Sequence, residues 1–193
     1  MDLENIHTER LTLEPLDQAK IAAILQRDDR SEICRMFGIA DDDAFELNRS
    51  KFVSRVVTPI FSTFIFRILF KQTDIMVGWC GFHTWFLLHD RAELGYMLLR
   101  EQDKRLGYMS EVLPRVLEFG FRQMKLHRIE AIIGPDNVAS LKLVAKLGFT
   151  QEGVLRQHYK VNDVMDDSIL FSLLKNESGF GPEDSIRPRP AGY

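Results

Sequence analysis

Cysteine is scarce: Cys34 and Cys80 are the two in 193 residues, too few and too far apart for a disulfide framework or a metal knuckle. They read as buried thiols of a protein from a reducing compartment. An excess of charge of either sign is missing too. Lys and Arg number 25 against 28 Asp and Glu, a net charge of −3. Phosphate surfaces are gripped by clustered cations that release counterions, so no nucleic-acid binding is expected. Long apolar runs are also lacking. The most apolar stretch, 56–70, is interrupted by Thr58-Pro59 and Ser62-Thr63 and carries Arg67, short of the ~20 apolar residues of a membrane span. Met1-Asp2-Leu3-Glu4-Asn5 has neither the basic nor the apolar region of a secretory signal, so the expected location is cytoplasmic. No internal repeat and no metal-ligand spacing is present.

What remains is an ordinary globular composition, 45% hydrophobic and 27% charged, in a length that suits one domain with a full core. Residues 1–177 are expected to form that domain. The segment 178–193 is rich in Gly and Pro with little to bury, and reads as a flexible or loosely docked tail.

Along the chain, Arg10-Leu11-Thr12-Leu13-Glu14-Pro15-Leu16 alternates apolar and polar side chains and predicts an opening strand. A helix is predicted over 17–26, and one or two more within 31–57, the later one capped by Asp41-Asp42-Asp43. Phe, Ile, Val and Trp enrichment over 63–70 and 75–86 predicts paired strands around a Lys71-Gln72-Thr73-Asp74 turn. Leu88-His89-Asp90-Arg91 then turns into a strand over 92–99, completing an antiparallel meander. A helix beginning near Leu106 has Met109, Val112, Leu113, Val116, Leu117 and Met124 on one face. Pro114 removes a backbone donor within it and is expected to kink it.

The C-terminal third is the most informative region. Leu126-His127-Arg128-Ile129-Glu130-Ala131 runs into Pro135-Asp136-Asn137-Val138-Ala139-Ser140 and then Leu147-Gly148-Phe149. Physically this is a strand, a polar splay, a short amphipathic helix, a glycine stop and another strand. The layout resembles the GNAT superfamily of N-acyltransferases, and within it the RimJ/RimL-like N-terminal acetyltransferases. The resemblance continues through Gly153-Val154-Leu155-Arg156 and Ile169-Leu170-Phe171-Ser172-Leu173-Leu174-Lys175, and back through Ala92-Glu93-Leu94-Gly95-Tyr96 to Thr8-Glu9-Arg10-Leu11-Thr12-Leu13. It implies a mixed α/β fold: a twisted, mainly antiparallel sheet with splayed central strands, flanked by helices.

The resemblance also implies acetyl-coenzyme A as co-substrate and no metal. In that family a Gln/Arg-x-x-Gly-x-Gly/Ala loop turns its N–H groups toward the coenzyme pyrophosphate at the positive end of a helix. Here the loop is Gln102-Asp103-Lys104-Arg105-Leu106-Gly107, followed by Tyr108-Met109-Ser110-Glu111, so Lys104, Arg105, Leu106, Gly107, Tyr108 and Met109 would hold the phosphates. Arg105 stands where the first glycine is expected. Either it lends charge along the same backbone path, or the position demands a positive φ and the side chain distorts the loop. Met97, Leu98 and Leu99 on the splaying strand would offer unpaired backbone groups to the pantetheine.

For the chemistry, the resemblance points to Ser140 as proton donor to the departing thiolate and Asn137 as a residue orienting the coenzyme or a water. Helix capping accounts for the same pair in purely structural terms. A Tyr acid found later on this helix in many relatives is replaced by Val144. The general base stays open between Glu93 and Glu130, each of which also has a structural explanation, the first a pairing with Arg91 or a turn amide and the second an ion pair with Arg128 or another neighbour. His83, in Gly81-Phe82-His83-Thr84-Trp85, is a further base candidate by its near-neutral ordinary pKa, and with Tyr159 it is placed in the acceptor cleft.

The expected activity is acetyl transfer from acetyl-coenzyme A to a primary amine by direct attack, the amine being the α-amine of a protein N-terminus of ribosomal-protein type. A small-molecule amine is the alternative acceptor, and a coenzyme-binding module with weak or no catalysis the alternative class. No membrane partner is expected, and a homodimer is compatible with the resemblance.

Overall fold

The burial of Leu11 and Leu13 is the first piece of the architecture, because side chains spaced by two share one face of a strand. The structure, a computed structural model, describes residues 3–26, 29–37, 62–161 and 163–180. The Asp41-Asp42-Asp43 cap and the helices expected beyond Phe37 lie outside those residues. The chain divides into two compact units, 1–88 with 94–116 and 89–93 with 117–193.

In the first unit, β1 (Ile6–His7) pairs antiparallel with β2 (Leu11–Asp17), β2 with β3 (Ser62–Phe70) and β3 with β4 (Met76–Phe86). Strand β2 ends at Asp17, whose Oδ1 accepts the N–H of Lys20 at 2.8 Å and so caps α1 (Gln18–Gln26). A second helix, α2, covers Arg30–Phe37. The 71–74 turn closes through Asp74, at φ 54°, whose N–H donates to the Phe70 carbonyl; aspartate tolerates this left-handed geometry better than most residues. A 3₁₀ turn at Leu87–His89 leads into β5 (Arg91–Leu98). The second half of β5 stays beside β4, with the Leu99 N–H donating to the Val77 carbonyl at 2.9 Å.

The helix predicted near Leu106 is α3 (Tyr108–Arg122), and it carries Pro114 without ending there. Met109, Val112, Leu113, Val116 and Leu117 are buried, as the spacing predicts, and Phe121 joins them. Met124 does not belong to this face: α3 stops at Arg122, and the Met124 N–H reaches back to Phe119 ahead of a left-handed Lys125 at φ 60°.

In the second unit, residues 91–93 of β5 run parallel to residues 128–130 of β6 (Arg128–Ile133), and the register ends at Glu93 opposite Glu130. Strand β6 pairs antiparallel with β8 (Val164–Leu174), and β8 with β7 (Thr150–Val161). Between β6 and β7 lies α4 (Val138–Lys146), closed by Phe149 N–H to Val144 O and Gly148 N–H to Ala145 O, the paired bonds of a glycine-terminated helix. Phe121, Leu126, Ile129 and Leu173 are buried here, each side chain contributing roughly 1.5–3 kcal/mol by leaving water. Of the expected tail, Ser178 to Phe180 is described: Ser178 Oγ donates to the Lys175 carbonyl, and Phe180 stacks on Phe121 at 6.3 Å. Residues 181–193 lie outside the description. Among the described residues the β1–β2, β2–β3, β3–β4, β6–β8 and β7–β8 pairings are antiparallel and that of β5 with β6 is parallel, so the fold is the mixed α/β, mainly antiparallel one expected.

Candidate active site

The loop between β5 and α3 is where backbone conformation and charge converge. Arg105 has φ 63° and Gly107 φ 82°, two left-handed residues in three positions. Such a curl turns successive N–H groups toward a common side, the arrangement that binds anions, and here it opens a 15-residue helix whose positive end adds to it. The position does demand a positive φ, and an arginine occupies it, at a cost of about 1–2 kcal/mol relative to glycine. Lys104, Arg105, Leu106 and Gly107 are exposed, Tyr108 is half-buried and Met109 is buried, so the Met109 side chain packs in the core and residues 104–107 face water.

Strand β5 supplies the next part. Met97 is exposed and Leu98 half-buried. Leu99 departs from the expectation of an unpaired backbone, since its N–H is already committed to Val77 on β4.

Asn137 and Ser140 come together at the head of α4, where Asn137 Oδ1 accepts the Ser140 N–H at 3.1 Å. The amide oxygen therefore caps the helix, as Asn does by satisfying an orphan N–H. Ser140 is half-buried, and its hydroxyl has no hydrogen-bond partner among the described residues. Val144, one turn on, is fully buried and has no proton to give.

The carboxylates separate. Glu130 lies between two guanidiniums, accepting Arg91 Nη1 on Oε2 and Arg128 Nε on Oε1, each at 2.8 Å. Arg128 in turn reaches Glu152 at 2.9 Å. Burial would lower the Arg128 pKa, but its hydrogen bonds to Glu130 and Glu152 and their charges outweigh this and hold it above the ordinary value. Glu130 is thus an ion-pair residue in the structure. Glu93 is half-buried on β5, opposite Glu130 in register.

His83 owes its place to an irregularity in β4. The register with β3 slips between Ser62 and Phe64, and Thr84 there adopts φ 49°, an uncommon state for a β-branched residue and a mark of local strain. The imidazole Nδ1 lies 3.1 Å from the Thr84 hydroxyl, and the ring packs against Gly95 of β5. Tyr159 is exposed on β7 beside a second register slip and meets the His158 ring edge-on at 4.3 Å. Each lies in a different unit, His83 in the first and Tyr159 in the second.

Burial drives the Cys80 thiol far above its ordinary pKa, leaving it inert. Among the described residues no group of His, Cys, Asp or Glu is arranged to hold a metal, and no helix is long and apolar enough to cross a membrane.

Residue-by-residue reading missed the partners that fasten the loop. Arg10, Glu111, Arg100 and Asp103 form two guanidinium–carboxylate pairs around it. Arg100 and Asp103, three apart, were discoverable locally; Arg10 and Glu111, separated by 101 positions, were not.

The sequence matches the family model of the acetyltransferase (GNAT) domain over residues 10–150. It is 31% identical over 178 residues to the uncharacterized N-acetyltransferase p20 of Bacillus licheniformis, covering 91% of this chain and 98% of that protein. The fold is similar to the ribosomal-protein-S5-alanine acetyltransferase of Vibrio fischeri, with TM-score 0.64 and 19% identity over 93% of this chain and 100% of that one. It is similar also to the F149G mutant of the spermidine N-acetyltransferase SpeG of Vibrio cholerae, with TM-score 0.63 and 18% identity over 88% and 96% of the two chains. The chain belongs to the GNAT acetyltransferase family and is an N-acetyltransferase that acts on amines. Proteins of this fold use acetyl-coenzyme A as co-substrate.

Proposed function

We propose that this enzyme is a cytoplasmic, RimJ/RimL-like acetyltransferase whose acceptor is the α-amine of a protein N-terminus, with residues 1–177 acting as one catalytic domain and 178–193 as its tail. The observation that carries the coenzyme assignment is the left-handed curl at Arg105 and Gly107 directly before α3. Its N–H groups, the exposed cations Lys104 and Arg105, and the helix end suit an anion, and the backbone of Met97 and Leu98 suits the amides of a pantetheine. The coenzyme supplies an activated acetyl thioester when bound.

Ser140 then delivers a proton to the departing sulfur, its N–H being fixed by Asn137 so that the hydroxyl points from a rigid helix turn. Glu93 takes the proton of the amine, directly or through water, while Glu130 stays locked in its two ion pairs. His83, seated on Gly95, is assigned an acceptor-binding role in the first unit, and Tyr159 is a separate acceptor-binding candidate in the second.

The ribosomal-protein acceptor is supported by the motif set from Thr8 to Lys175 and by the likeness to the Vibrio fischeri enzyme over 93% of this chain. A polyamine acceptor is favoured instead by the likeness to SpeG. The deciding experiment incubates the protein and acetyl-coenzyme A with peptides bearing free Ala or Ser N-termini, and separately with spermidine, and reads acetylation by mass spectrometry. Acetyl gain on the peptide α-amine is the expected result. Acetylspermidine alone would assign the polyamine, and binding of coenzyme without product would leave a coenzyme-binding module.

A further inference from the structure

We propose that Arg10 is a positioning residue for coenzyme binding: it braces the Lys104–Gly107 loop from behind and neutralises a carboxylate that would otherwise repel the phosphates. The proposal rests on the reading of that loop as the coenzyme site.

Arg10 is used from end to end. Its Nε donates to Glu111 Oε2 at 2.7 Å, its backbone N–H to Glu111 Oε1 at 2.8 Å, and its Nη1 to the Leu106 carbonyl at 3.1 Å. Its guanidinium lies over the Tyr108 ring, 4.6 Å from the centroid. The Thr8 hydroxyl completes the anchor by donating to Glu111 Oε1 at 2.6 Å. From Tyr108 the contacts pass edge-on to Phe70 at 5.5 Å, and Arg100 lies over Phe70 at 5.8 Å. Arg100 in turn holds Asp103 through two bonds, at 2.6 and 3.1 Å. A guanidinium–carboxylate pair therefore stands on each side of the four-residue loop.

Two consequences follow for an anion. The guanidinium takes the negative end of the Leu106 peptide, so the loop keeps that carbonyl engaged on the Arg10 side; the Lys104 N–H is held by the Glu101 carbonyl, and the N–H groups of Arg105, Leu106 and Gly107 are left for the phosphates. Glu111 is the fourth residue of α3, and an unpaired carboxylate in a first turn would compete with phosphate for the positive end of the helix. Arg10 cancels that charge without displacing the carboxylate. Lysine cannot do the same, because a single ammonium has no fork to span Glu111 and the Leu106 carbonyl together.

The test compares two ligands on the whole chain by calorimetry and ligand-observed NMR: coenzyme A, which carries the phosphates, and acetyl-pantetheine, which does not. Arg10→Ala is expected to weaken coenzyme A binding by about tenfold or more, the scale of one charge-assisted contact, and to leave acetyl-pantetheine binding unchanged. Arg10→Lys, which keeps the charge and the stem, is expected to give an intermediate loss and covers the case in which the alanine variant does not fold. Equal coenzyme A affinity in wild type and both variants overturns the brace, as does a parallel loss for both ligands. Failure of the wild type itself to bind coenzyme A overturns the underlying reading of the loop instead.

Discussion

A side chain on Gly95 would place its Cβ 2.9 Å from Nε2 of His83, so the imidazole rests on backbone that only glycine leaves bare. Gly95→Ala should therefore push the ring off β5 with little effect on the loop that precedes α3. The expected outcome is a folded protein with normal coenzyme binding and a fall in kcat/KM for the amine of about 10- to 100-fold, the range over which small misplacements act. Unchanged amine kinetics would remove His83 from the acceptor side.

Arg105 combines a backbone that suits glycine with a side chain that suits phosphate. Arg105→Gly should raise thermal stability by about 1 kcal/mol through relief of the left-handed strain. Arg105→Ala keeps the strain and loses the charge, so it should weaken coenzyme binding and flatten its salt dependence. Melting curves and salt-titrated calorimetry on the two variants separate backbone from charge.

At the start of α4, capping and catalysis differ in magnitude. Asn137→Ala should cost about 1 kcal/mol of stability by orphaning the Ser140 N–H. Ser140→Ala leaves that N–H and its cap intact, so the protein should melt near the wild-type temperature and bind coenzyme normally. Its turnover should fall by about 100- to 10,000-fold, as for loss of a positioned acid. Near-normal turnover would make Ser140 a structural residue.

Glu111 makes stability depend on pH in a definite direction. Burial alone would raise its carboxyl, but hydrogen bonds from the Arg10 backbone, the Thr8 hydroxyl and the Arg10 side chain, with the guanidinium charge, hold it below the ordinary value of 4.5. A carboxyl lowered in the native state contributes stability that is complete above the ordinary value and is lost as pH falls through the native one. The melting temperature of wild type should therefore exceed that of Glu111→Gln at neutral pH, and the gap should narrow below about pH 4.5. A gap independent of pH would show that the carboxylate charge is not what holds the pair.

The sequence by itself determined the local elements and their order. Period-two alternation marked β2, three-and-four spacing marked the buried face of α3, and Asn137 with Ser140 marked the head of α4, because each signal depends on neighbours within a turn or a strand. Where the signal was local but incomplete, the outcome shifted: Met124 fits the spacing of α3, yet the helix ends at Arg122. Tertiary structure alone decided which charges meet. The sequence left the partners of Glu130 open, and the fold sets Arg91, from another strand, at 2.8 Å on one side of it and Arg128 at 2.8 Å on the other. The reach of Arg10 to Glu111, 101 positions apart, was hidden for the same reason: it arises from the folding of distant segments onto one another, and nothing in the spacing of residues along the chain encodes that distance.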